Sequence, residues 1–241
     1  MPTVTTYAAL AAIAAMAAMT PSFAHAQQPA SRYLEPLGPD NSLLLLVDLQ
    51  PQYAFSVASI DTQTLINNAT GIAKAAKVFK VPTVLATISA QSFAGPFFPH
   101  VQDALPGVVP FDRTAINAWE DQRLVDAIRR SGRKKIIVGG LWTDSCVTLP
   151  ALSALRDGYE VYVLTDVAGD VNQMSHDMAI LRMVQAGATP VTWLAVLLEW
   201  QRDWAREETA GAVSEIAKAH GGAFGMGITY AKAMGIGGKA K

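Results

Sequence analysis

The sequence predicts an α/β domain built on a mostly parallel central sheet, with helices covering both of its faces. Three observations lead there. Five short apolar runs are nearly continuous rather than alternating, as expected of strands buried on both sides. Stretches with helical periodicity separate them, and glycines close those stretches.

The runs are SLLLLVDLQ (42–50), VPTVLATIS (81–89), KKIIVGG (134–140), YEVYVLTD (159–166) and TPVTWLAV (189–196). After the first comes a helix in which Leu65, Ile66, Ala69, Ile72, Ala73, Ala76 and Phe79 share one face, with Asp61 as its N-cap. Further helices run towards Gly132, Gly158 and Gly187. The stretch 91–119 has four phenylalanines and four prolines without period, and loops this long inside a domain tend to be functional. Residues 27–210 form the expected domain. Residues 211–241 read as a glycine-rich tail or an arm reaching a neighbouring subunit.

Residues 1–26 lack any charged side chain, and Ala24-His25-Ala26 fits a signal-peptidase site before Gln27. Tyr7–Met19 is short for a membrane span. This points to a signal peptide and to the periplasm or secretion, with no membrane association after cleavage. The missing basic n-region leaves a misassigned start, an uncleaved tether or cytoplasmic residence as alternatives. A net charge of −1 without a basic run argues against a nucleic-acid or anionic-membrane partner. The low charged fraction, 16%, hints at apolar surface buried between subunits.

In an open parallel sheet ligands bind beyond the carboxyl ends of the strands, so polar residues there are the candidates. Asp48 and Asp166 end two of the runs. Cys146, the only cysteine, follows a third in GGLWTDSCVT (139–148). Thr143, Asp144 and Ser145 are all capable N-caps, which would set the thiol in the first turn of a helix and lower its pKa. The competing reading is an inert buried cysteine. His100, His176 and His220 form no Cys/His signature and no metal-ligand spacing, so Asp48 is the best base and Arg113 a candidate cation. Arg113 pairing with the adjacent Asp112 is the ordinary alternative.

Together these residues resemble the isochorismatase-like cysteine hydrolases, from about Ser42 to Trp204. The matching motifs are LLVDLQ at the first strand and GLWTDSCV at the thiol turn. INAW, CVTLPALSALRDGYEVYVLTD and MVQAGATPVTW…LEWQRDW point to the YcaC-like branch. The resemblance implies a Rossmann-like three-layer α/β/α sandwich and a catalytic set of Asp48, Arg113 and Cys146. Arg113 stands where most members have lysine, and arginine can hold charge but not give up its proton. The resemblance also implies a cis peptide between Leu141 and Trp142, with the Trp142 and Cys146 amides forming an oxyanion hole. Gln50, Asn117, Trp119 and Trp142 would be pocket walls, although both tryptophans could equally be core or interface residues. No metal and no cofactor are implied.

The activity implied is hydrolysis of a C–N bond, amide or related, in a small molecule, by a homo-oligomer with the octamer as one arrangement. A vinyl-ether substrate is disfavoured, because isochorismatases proper lack the cysteine. The rival readings are a non-catalytic small-ligand binder or scaffold on the same fold, and thiol redox chemistry, which would need a cysteine from another chain.

Overall fold

The structure, a computed structural model, describes residues 35–236; the signal-like segment 1–26 lies outside the described residues. The six strands are β1 (Ser42–Val47), β2 (Thr83–Ile88), β3 (Phe111–Arg113), β4 (Lys135–Leu141), β5 (Glu160–Gly169) and β6 (Thr189–Val191). They form one sheet in the order β3-β2-β1-β4-β5-β6. Every neighbouring pair is parallel.

The central strand β1 shows why the run was continuous: all its residues are buried. Leu44 and Leu46 enter one core with Leu65, Ile72, Leu85 and Trp193. Leu43, Leu45 and Val47 enter the other with Leu124, Ile128, Ile136 and Ala151. Each such side chain contributes about 1.5–3 kcal/mol by leaving water. The helices behind these cores make the three layers. Those flanking the first are α1 (Pro51–Ala54), α2 (Thr62–Val78) and α3 (Pro99–Ala104). On the second lie α4 (Gln122–Arg130), α5 (Thr148–Arg156) and α6 (Gln173–Gln185). The chain then returns to the first with α7 (Trp193–Gln201) and α8 (Glu207–His220), followed by α9 (Ala223–Ala233).

Three expectations change. The last run yields only a three-residue strand, because Thr192 caps a helix whose Trp193, Val196, Leu197 and Trp200 are buried at helical spacing. A short apolar run fits either structure until its neighbours are known. The segment from Gly211 is not a loose tail as far as it is described: α8 buries Val213 and Ile216 in the first core, and α9 follows it. The aperiodic stretch 91–119 contains α3 and the edge strand β3, which is too short to leave a pattern.

The chain builds outward from β1 to β2 and β3, then restarts on the other side at β4. The order therefore reverses between β1 and β4, and in a parallel sheet the carboxyl ends beside such a reversal are where ligands bind. Gly140 lets them approach there. Its φ is +145°, and a Cβ would run into the Val47 carbonyl.

Candidate active site

Asp48 follows β1 directly and is fully buried, with a φ of 53° that a non-glycine residue rarely adopts. Its N–H donates to Ala86 O at 2.9 Å, and its carbonyl accepts from Gln50 N–H at 2.7 Å. Arg113, at the end of β3, reaches past β2 to meet it. Nη1 donates to Oδ1 at 2.7 Å and Nη2 to Oδ2 at 2.9 Å, with a further bond from Nη2 to Ile116 O at 3.0 Å. This two-point fork suits a planar guanidinium and a carboxylate. The alternative partner Asp112 is instead occupied by Thr87 Oγ1 and the Ala90 N–H, each at 3.0 Å.

Cys146 lies in a widened turn, Thr143–Val147, between β4 and α5. The Val147 N–H bonds back to Trp142 O across five residues. The thiol is 5% exposed and interacts with the Asp48 carboxylate. None of Thr143, Asp144 and Ser145 caps the turn through its side chain; Trp142 occupies the cap position. The expected lowering of the thiol pKa is reversed. Burial first, and then the Asp48 charge, push it up to about 12 against the weaker pull of Arg113. Desolvation and a neighbouring anion both disfavour the thiolate. Burial also raises the Asp48 carboxyl above the ordinary range, although Arg113 opposes it.

The peptide between Leu141 and Trp142 is cis. Trp142 is half-buried, its Nε1 donating to Tyr53 O at 3.2 Å and its ring meeting the Tyr53 ring edge-on at 4.9 Å. Phe93, from the irregular stretch, also meets the Tyr53 ring edge-on, at 6.1 Å. The residue reading missed Tyr53. It sits on α1, and its hydroxyl is pushed up by burial and then by the charges of Cys146 and Asp48. The signal was an aromatic placed on the short helix that follows a strand-end aspartate.

The three other suggested pocket residues are engaged elsewhere. Gln50 is fully buried, its amide donating to Ile88 O (3.2 Å) and Gly95 O (2.6 Å) and accepting from Ile88 N–H (2.9 Å). It ties the end of β2 to the loop beyond. Asn117 accepts from Trp119 N–H at 3.0 Å and donates to Ser153 Oγ at 3.1 Å. Trp119 donates to Asp157 Oδ2 at 2.9 Å and packs edge-on against Tyr159 in the second core. These bonds fix the three side chains, and apart from the Asn117–Trp119 cap each partner lies 36 or more residues away, where spacing reveals nothing.

None of His100, His176 and His220 bonds to Asp48, Arg113 or Cys146. His176 contacts Thr143 Oγ1 at 2.9 Å, His220 contacts Lys74 Nζ at 2.9 Å, and His100 is exposed. Asp166 accepts from Trp193 N–H at 2.9 Å and so caps α7. Among the described residues no group of three His, Cys, Asp or Glu side chains is placed to hold a metal ion. No helix among them is long and apolar enough to cross a membrane.

Residues 42–195, which contain β1 to β6 and the whole cluster, match the family model of the isochorismatase domain. The chain belongs to the isochorismatase family. Within the isochorismatase family it is 36% identical over 169 residues to the "Probable hydrolase YcaC" of Escherichia coli, covering 70% of this chain and 81% of that protein. The crystal structure of the Escherichia coli YcaC gene product, described as an octameric hydrolase of unknown specificity, superposes with a TM-score of 0.78 at 33% identity. That match covers 83% of this chain and 97% of the other. YcaC from Pseudomonas aeruginosa, in a structure with hexane-2,5-diol and covalent acrylamide, gives a TM-score of 0.77 at 31% identity, covering 83% and 98%.

Proposed function

We propose that this isochorismatase-family hydrolase cleaves a C–N bond, amide or related, in a small molecule through a thioester on Cys146. The observation that carries the reading is the buried contact between the Cys146 thiol and an Asp48 carboxylate gripped by Arg113. A thiol pushed up to about 12 rests protonated, so its proton must leave as it attacks. Asp48 takes that proton while Sγ adds to the carbonyl carbon. The oxyanion is held by the Trp142 and Cys146 N–H groups. Asp48 returns the proton to the nitrogen, the amine leaves, and the thioester remains. Water then attacks with Asp48 again as base, releasing the acid and restoring the thiol. Arg113 keeps the carboxylate ionised and oriented, and Tyr53, Trp142 and Phe93 supply an aromatic wall.

An amine-release screen across small amides tests the substrate class, and acrylamide tests the nucleophile. Cys146 is expected to be alkylated at neutral pH, and Asp48→Asn to slow that reaction by about 100-fold. Alkylation indifferent to Asp48, with no amide turned over, would sink the reading.

Homo-oligomerisation, in an octamer like that of the Escherichia coli relative, and export with Gln27 as the mature N-terminus belong to the same proposal. Exposed Met174, Met178 and Leu181 on α6 and Met226, Tyr230 and Met234 on or just after α9 support the first. The charge-free start of the chain supports the second. Light scattering and N-terminal sequencing check them: a monomer, or a chain starting at Met1, refutes the respective part.

A further inference from the structure

The carboxylate of Asp170, directly after β5, is fully buried and forms no ion pair among the described residues. Such a group is costly to bury unless it is satisfied and needed. Both of its oxygens are occupied by backbone N–H groups. Oδ2 accepts from Asp144, two residues before Cys146, at 2.8 Å, and Oδ1 accepts from Val171 at 2.8 Å. The backbone of the same residue grips another segment: its N–H donates to Ser59 Oγ at 2.8 Å, and its carbonyl accepts from Ala58 at 2.9 Å and Ser59 at 3.2 Å. Asp170 thus joins the end of β5, the segment after α1 and the Cys146 turn at one buried point. Two further bonds to the turn are made at Thr143. Its Oγ1 meets His176 Nδ1 at 2.9 Å, and its carbonyl accepts from Thr148 Oγ1 at 2.6 Å.

We propose that Asp170 is a positioning residue for the nucleophile: by fixing the Asp144 amide it sets where the Cys146 thiol stands against the Asp48 carboxylate. The inference rests on the cysteine-hydrolase reading and deepens it. A displacement of about an ångström at a reacting atom costs about 100-fold in rate. Asp170→Asn keeps one acceptor oxygen but turns an amide N–H against the Val171 or Asp144 N–H, so one of the two bonds is lost.

The test compares the full-length wild type with Asp170→Asn, Asp170→Glu and Asp166→Asn. Asp166 is a half-buried carboxylate that also caps a backbone N–H, but at α7. Asp170→Asn is expected to lower both kcat and the acrylamide rate at Cys146 by about 100-fold, with KM changed by less than about threefold. Asp166→Asn should lose melting temperature yet keep the acrylamide rate. Asp170→Glu retains the charge but moves the oxygens by one methylene, and it should share the loss. A wild-type rate in either Asp170 variant, or equal slowing in Asp166→Asn, overturns the proposal. A wild-type protein whose Cys146 is inert overturns the hydrolase reading and this inference with it.

Discussion

Cys146→Ala is expected to remove amine release by about four orders of magnitude or more while leaving the circular dichroism spectrum unchanged. The side chain is small, and its loss opens little space beside Val147 and Ala151 in the second core. The same variant carries a second readout in stability at alkaline pH. In the folded protein the thiol holds its proton to about 12, whereas its ordinary value is 9.0. Between those values the unfolded chain binds fewer protons than the native one, so stability falls as pH rises. The contribution of the neutral thiol is fully present below pH 9.0 and lost by about 12. Wild type should therefore lose a few kcal/mol across that window that Cys146→Ala does not lose. Parallel stability curves would show that the thiol is not held protonated.

Arg113→Met is expected to destabilise the protein by about 3–5 kcal/mol and to abolish turnover, because it leaves Asp48 buried without its cation. The bidentate pair is almost wholly shielded, with side-chain exposures of 3% for Arg113 and 0% for Asp48. Burial already raises the Asp48 carboxyl, and Arg113 is what opposes the rise. Without it the carboxyl moves further up and is protonated where it should act as base. A carboxyl whose folded pKa is raised favours folding at acid pH and loses that contribution as pH rises through the folded value. The deficit of Arg113→Met should therefore shrink under acid conditions and widen towards neutrality, which thermal melts across that range will read. Arg113→Lys restores the charge but neither the two-point fit nor the bond to Ile116 O, so intermediate stability and turnover are expected. A pH-independent deficit in Arg113→Met would mean that lost packing, not the stranded carboxylate, causes it.

How far the site could be read from the residues depended on what each signal measures. Asp48 and Cys146 were legible as candidates because polar residues just beyond doubly buried strands lie on the side where a parallel sheet binds ligands. Arg113 was legible only as a candidate cation with Asp112 as its ordinary partner, since it lies on a three-residue edge strand within an aperiodic stretch, and the family resemblance set it beside Asp48. Trp119 and Gln50 carry the same residue types a pocket wall would. The bonds that hold them, from Trp119 to Asp157 and from Gln50 to Ile88 and Gly95, exist only in the folded chain. Tyr53 escaped because an aromatic after a strand reads equally well as core.

By itself the sequence determined the layer architecture, the central strands and the two strand ends where chemistry can occur. Periodicity and burial on both faces are local properties written along the chain. Tertiary structure alone decided that TPVTWLAV splits into a strand and a capped helix, and that the chain beyond Gly211 adds a helix to the core. It also decided the resting state of the thiol. A helix start favours the thiolate through neighbouring N–H groups, whereas burial beside Asp48 opposes it through desolvation and charge. Which prevails depends on groups nearly a hundred residues apart, which only the folded chain brings together.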